Sequence, residues 1–182
     1  MSLQRFIQNI NRIGGLAKTN RFKVDILIPS VLSRNGINTE ELSLVCETAE
    51  LPGKTLQTAE AKVYGPTYKI PYQKQFQDIN LTFLCSVKGI ERTFFDDWIE
   101  YIMPTETNNI RFRDGYQTKI KIFHLKEYGG DKNSLGGDII RTVILEEAFP
   151  IGYASQQLNW GEDGFQKLTV QFAYRRFIEF LN

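Results

Sequence analysis

The sequence predicts a mainly β fold with one or two helices, built as a β-barrel or sandwich. Three observations lead there. Short segments alternate apolar with polar residues, turn residues separate them, and only two segments show a helical period. The chain has 182 residues, a length suited to one domain over 1–182. It is 42% hydrophobic and 13% aromatic, enough for a sizeable core.

The first segment is helical by period. Leu3, Phe6, Ile7, Ile10 and Ile13 form one stripe within residues 1–15, and Gly14-Gly15 stops it. A helix this short is marginal alone and must dock on something. From Arg21 the period becomes two: Phe22, Val24, Ile26 and Ile28 make a half-buried strand ended by Pro29. A polar loop at Ser33–Gly36 follows, and Leu42–Ala49 reads as a strand stopped by Leu51-Pro52-Gly53. Residues 54–77, with Tyr64-Gly65-Pro66, Tyr68, Pro71-Tyr72 and Phe76, read as a long excursion, in the form of a hairpin; such long loops are usually functional.

Ile79, Leu81, Phe83 and Cys85 then alternate as a strand. A helix over Glu91–Met103 places Phe94/Phe95, Trp98, Ile99 and Ile102 on one face before Pro104 ends it. Ile110–Arg113 and Lys119–Leu125 read as a hairpin about Asp114-Gly115. A Gly-rich loop over 129–137 leads to a strand at Ile139–Ala148, and the last strand is Lys167–Tyr174, after a turn at Gly161–Gly164.

Little in the sequence points to catalysis or to a bound cofactor or metal. The single histidine, His124, sits in an alternating strand and reads as a strand residue. Asp96-Asp97, Glu146-Glu147 and Glu162-Asp163 are adjacent pairs whose carboxyls point apart, which does not suit acid–base work on one substrate. Asp131–Gly136 starts like a calcium loop, but Leu135 and Thr142 stand where oxygen ligands are required. Cys46 and Cys85 are too few and too far apart for a disulfide framework or zinc site, and they read as reduced thiols in an intracellular chain. No apolar run approaches the roughly 20 residues that span a bilayer. Lys+Arg number 22 against 21 Asp+Glu, a net charge of +1, which argues against a protein that grips nucleic acid by phosphate neutralisation. Tyr174-Arg175-Arg176-Phe177 and Arg111-Phe112-Arg113 are two small basic–aromatic clusters; a solvated face or subunit contact suits them better than a nucleic-acid groove.

Several ordered segments resemble the tail tube protein family of contractile-tailed bacteriophages. They are Lys18–Val24, Cys46-Glu47-Thr48-Ala49-Glu50-Leu51-Pro52-Gly53, Tyr64-Gly65-Pro66, Lys69–Tyr72, Asp78–Phe83, Arg92–Trp98, Glu147–Pro150, Leu158-Asn159-Trp160 and Val170–Arg175. Thr19 replaces a common proline and Phe177 a frequent tryptophan. The resemblance implies a structural subunit, not an enzyme: six copies pair strands into a ring, and rings stack into a hollow tube inside a contractile sheath. Genomic DNA would pass through the lumen without specific binding. The partners implied are other copies, the sheath and the baseplate. The location implied is the virion tail, assembled in the bacterial host cytoplasm. The same fold also serves baseplate tube initiators and type VI secretion-like tubes.

On that reading, 54–77 is the loop that reaches the adjacent ring. Phe6, Ile7, Ile10, Leu51, Pro52, Tyr64, Tyr68, Tyr72, Phe76, Arg175, Arg176 and Phe177 are the candidate subunit and ring contacts. A balanced total charge in a DNA conduit further predicts charges segregated by face, with few Lys or Arg on the strand faces lining the channel.

Overall fold

The computed structural model describes residues 3–12, 16–32, 39–62, 64–126, 139–161 and 163–181. The glycine stop at 14–15, the polar loop at 33–36 and the Gly-rich loop at 129–137, with its calcium-like start, lie outside the described residues. In chain order the elements are α1 (Leu3–Arg12), β1 (Phe22–Ile26), α2 (Thr39–Leu44), β2 (Cys46–Ala49), β3 (Lys54–Ala61), β4 (Tyr68–Phe76), β5 (Ile79–Leu84), α3 (Ile90–Ile102), α4 (Arg113–Tyr116), β6 (Thr118–Leu125), β7 (Ile139–Tyr153), β8 (Lys167–Ala173) and β9 (Arg176–Leu181). The fold is mainly β with flanking helices, as the alternation predicts.

One antiparallel sheet runs β1-β6-β7-β8-β5-β2, with β9 also on β7; β3 and β4 form a second, two-stranded sheet. The long strand β7 divides the larger sheet into two layers. Its first part, from Ile139 to Ala148, pairs β6 and β9, and its end, from Phe149 to Tyr153, pairs β8. The change of partner falls where Glu147 takes φ 55 and a bulge separates Pro150 from Gly152. Such breaks bend a strand from one layer to the next and make room for a proline.

Buried side chains of both layers face each other. Val24, Ile26, Ile120, Ile122, Val143 and Leu145 come from one, and Ile79, Leu81, Phe83, Leu168, Val170 and Phe172 from the other. α3 closes one end of this core with Phe94, Phe95 and Trp98. Phe95 lies 5.1 Å from Phe83 and 6.0 Å from Phe172 between ring centroids, and Trp98 lies 6.2 Å from Phe172. The Trp98 indole donates to the Tyr116 carbonyl at 2.9 Å, satisfying a polar group that burial would otherwise strand. Before α3, Gly89 takes φ 63, a left-handed conformation that side chains resist. Glu91, in the first turn, accepts hydrogen bonds from the Ser86 amide and hydroxyl.

The structure corrects four expectations. Leu42–Leu44 belongs to a helix: reading it as a strand would bury Leu42 and Leu44 together, yet Leu42 is buried and Leu44 is 82% exposed. Ile110–Arg113 is not half of a hairpin, because β6 already has β1 and β7 on its two edges; Asp114-Gly115 lies in α4 instead. β7 continues five residues past Ala148, through Pro150. A further strand, β9, follows β8. Among the described residues no helix is long and apolar enough to cross a membrane.

Candidate assembly interface

The excursion at 54–77 is a hairpin, and its register sorts residues by face. Leu56 stands opposite Lys74, Ala59 opposite Ile70 and Ala61 opposite Tyr68, while Gln57 stands opposite Gln73. With alternation along β3, Gln57, Ala59, Ala61, Tyr68, Ile70, Gln73 and Gln75 share one face, and Leu56, Thr58, Glu60, Lys69, Pro71 and Lys74 lie on the other, the irregularity falling at Tyr72. Nearly every residue of β3 and β4 is exposed, including Leu56, Tyr68, Ile70 and Tyr72, and Tyr64 near the tip is 100% exposed. A two-stranded hairpin exposed on both faces is not stable on its own merits. What fixes it is its base. Phe76 packs 5.5 Å from Phe177 and 6.2 Å from Tyr174, and Lys54 sits over the Phe177 ring at 4.5 Å. The Tyr174 hydroxyl donates to the Gln77 carbonyl at 2.6 Å; burial, then the charge of Asp78, pushes its pKa up to about 12.

Thus the structure brings Phe76 and Phe177 together and places Arg175 and Arg176 at the same corner. Leu51 is exposed and Pro52 half-buried in the link from β2 to β3. Tyr64, Tyr68 and Tyr72 extend away along the hairpin, the Tyr72 hydroxyl donating to Gln57 at 2.9 Å. Phe6, Ile7 and Ile10 lie apart from this group on α1, where Ile7 is exposed and Ile10 half-buried.

The two arginines are engaged with acids. Arg175 donates to Glu147 at 2.7 Å, Arg113 reaches Glu147 at 3.0 Å, and Arg176 pairs with Glu146. The hydrogen bond from Arg175, with the charges of Arg175, Arg113 and Arg176 behind it, holds the Glu147 carboxyl below its ordinary range. Arg111 lies over the Tyr101 ring at 5.2 Å. Guanidinium groups so occupied do not form an open phosphate groove. The His124 ring nitrogen is 2.9 Å from the Lys18 carbonyl, and Asp96 accepts from the Tyr153 hydroxyl at 2.7 Å; both are structural contacts. No cluster of three metal-ligating side chains occurs among the described residues.

Five strands leave an edge open among the described residues: β1 pairs only β6, β2 only β5, β9 only β7, and β3 and β4 only each other. Unpaired edges favour addition of another chain's strand. Sequence reasoning missed β9, whose Ile178 and Phe180 are exposed on alternate positions. It also did not single out Leu158, Trp160 and Phe165 as a surface; all three are almost wholly exposed between β7 and β8. Their signal was present in the sequence as apolar residues with no period to bury them.

The outward faces of the two layers differ in charge. On the β2-β5-β8 layer, Thr82 meets Thr169 with hydroxyls 3.1 Å apart, Asn80 stands opposite Gln171, and Thr48 opposite Thr82. Its Lys167 is paired with Glu47 at 2.6 Å. On the β1-β6-β7-β9 layer, Lys23, Asp25, Lys121, Glu146 and Arg176 alternate with the inward core residues.

Known structures share this architecture. The chain aligns over 100% of its length with 99% of a chain from a cryo-EM structure of an extracellular contractile injection system, the PVC sheath–tube complex in its extended state, at TM-score 0.66 and 17% identity. It aligns over 92% with 97% of a chain from the six-fold symmetrised anti-feeding prophage baseplate, at TM-score 0.65 and 16% identity. A chain from the anti-feeding prophage tube-terminating cap matches at TM-score 0.62 and 16% identity, with 92% of each chain covered. At such identities the likeness establishes the fold. No curated protein matches it in sequence. The sequence itself, however, matches the phage tail tube protein family over residues 17–180, nearly its whole length, and the chain therefore belongs to that family.

Proposed function

We propose that the protein is the structural subunit of a contractile tail's tube, and not an enzyme. Six copies join strand edges into a ring, rings stack into a hollow conduit, and the sheath surrounds it. The observation that carries this reading is the outward face of β2-β5-β8 on a family member: its centre is uncharged and its Lys167 is neutralised by Glu47, whereas charged residues alternate along the other outward face. We assign the neutral face to the lumen. Thr48, Asn80, Thr82, Thr169 and Gln171 offer hydroxyls and amides, so DNA passing them neutralises no phosphates and is not held. The β3–β4 hairpin reaches the adjacent ring with its exposed tip and side chains such as Tyr68, Ile70 and Tyr72, and Phe6, Ile7 and Ile10 of α1 dock at a subunit or ring boundary. Leu51, Pro52, Tyr64, Tyr68, Tyr72 and the Phe76–Phe177 corner with Arg175 and Arg176 complete the contact set.

Electron microscopy of the purified full-length protein tests this directly. Rings and tubes, alone or seeded with baseplate, are the expected result; a stable monomer at high concentration under both conditions refutes it. The baseplate tube-initiator reading shares the fold, since the chain is as similar to a chain of a baseplate structure as to one of a sheath–tube complex. Copy number in purified particles separates them: a subunit repeated along the tail is the tube, and one ring's worth is the initiator.

A further inference from the structure

We propose that Trp160 of one copy seats in an apolar concavity at the opposite end of a second copy, so that copies join head to tail along the tube. This rests on the tube reading above. The indole is 107% exposed, in a segment with exposed Leu158 and Phe165, and Val87 stands equally bare in the turn after β5. That segment is anchored at one end of the β2-β5-β8 layer. The Cys85 backbone amide donates to the Gln166 carbonyl at 2.9 Å, and the Gln156 side-chain amide donates to the Lys167 carbonyl at 3.0 Å. Four bare apolar side chains at one end of a strand layer exceed what scattered surface hydrophobics explain.

The concavity lies towards the other end of the layer. In register, Leu84 and Lys167 mark the Trp160 end, whereas Ala49 stands opposite Leu81 and leads to Leu51 beyond the layer's far end. Ala17, Phe22, Ala49, Leu51 and Ile122 line a cavity of about 180 Å³. An apolar cavity of about 150 Å³ is enough to take up a benzene ring. Charges near the two features are complementary. Asp163 stands three positions after Trp160, and Lys18 lines the concavity.

A second copy is the occupant that covers both features with one contact. Knob and hole lie on different surfaces of the same chain, so the contact is heterologous and repeats without closing on itself. Trp160 and Phe165 each bring about 150–250 Å² of burial. With Leu158 and Val87 they supply a large part of the roughly 800 Å² per partner of a standard interface. Repetition around a ring multiplies a contact that is weak singly.

The chain supplies its own probe, because it has two tryptophans and Trp98 is fully buried. Acrylamide quenching is measured on unassembled full-length protein and on tubes verified by microscopy. The expected result is a quenchable component that is lost on tube formation and absent from Trp160→Phe. Trp160→Ala raises the concentration required for tubes by about tenfold or more, as truncating an anchor aromatic does, and Trp160→Phe largely restores it. Oxidation of the double variant Trp160→Cys, Leu51→Cys gives a ladder of covalent multiples in tubes, which either single variant does not. Tubes in which Trp160 stays quenchable, or a cysteine at 160 that cross-links to one at Tyr68 of the hairpin instead, overturn the contact while leaving the tube reading intact. Protein that forms neither rings nor tubes overturns both.

Discussion

Trp98 fills the centre of the aromatic cluster and also satisfies a buried carbonyl, and the two contributions separate by substitution. Trp98→Phe keeps most of the apolar volume but leaves the Tyr116 carbonyl without the donor at 2.9 Å, a loss of about 1–3 kcal/mol. Trp98→Ala adds a cavity, for a total of about 3–5 kcal/mol. Urea unfolding of both variants and the wild type separates the two contributions, and a Trp98→Phe midpoint equal to the wild type's would show that the hydrogen bond contributes nothing. Glu147 tests charge at the same scale. Its folded pKa lies below the ordinary value of 4.5, so its clamp by Arg113 and Arg175 stabilises above pH 4.5 and is lost as pH falls through the lowered folded value. The stability gap between wild type and Glu147→Gln, followed by denaturant midpoint, is therefore expected at neutral pH and closed in acid. A gap that widens on acidification would reverse the assignment.

Elements with one buried face were legible in the sequence. In β5, Ile79, Leu81 and Phe83 are buried in strict alternation, and in α3 Phe94, Phe95 and Trp98 fall on one stripe, as the periods require. The failures have two causes: local alternation without burial, and pairing set by distant residues. Ile110 and Phe112 alternate with arginines like a strand, yet Phe112 is 93% exposed and both edges of β6, the partner a hairpin would use, are taken by β1 and β7. In β9, by contrast, pairing with β7 comes from distant residues, and no local burial pattern announces it. The candidate contact set was legible mainly as residue type. Its organisation about Phe76 and Phe177 joins residues a hundred positions apart and needed the fold.

The hairpin gives this scale its own prediction. Because β3 and β4 are exposed and held only at their base, replacing residues 56–74 by a short Asn-Gly turn leaves the Phe76–Tyr174–Phe177 cluster in place. Exposed segments away from core features contribute about 0.5 kcal/mol or less per substitution, so the unfolding midpoint should barely move. Tube formation, scored by sedimentation and microscopy, should be lost. Tubes that still form would remove the hairpin from the ring-to-ring contact.

At the scale of the whole molecule, charge balance becomes a statement about which surface meets DNA. The chain carries 22 basic and 21 acidic side chains, yet Thr48, Asn80, Thr82, Thr169 and Gln171 form the uncharged centre of a face whose Lys167 is paired with Glu47. If that face lines the conduit, a cysteine replacing Thr82 in assembled tubes reacts with a small maleimide but not with one carrying a large polymer, whereas unassembled protein reacts with both. Equal reaction with both reagents in tubes would move the face to the outside. Function can be probed at the same position. Wild-type tubes should pass short DNA without retaining it, while Thr82→Lys repeats one cation per subunit around each ring. Each lysine that neutralises a phosphate steepens the dependence of log K on log salt by about 0.7–0.9, so retention by the variant should appear at low salt and vanish steeply as salt rises. Wild-type tubes that already hold DNA with such a slope would show that the conduit wall is basic and that the neutral face lies elsewhere.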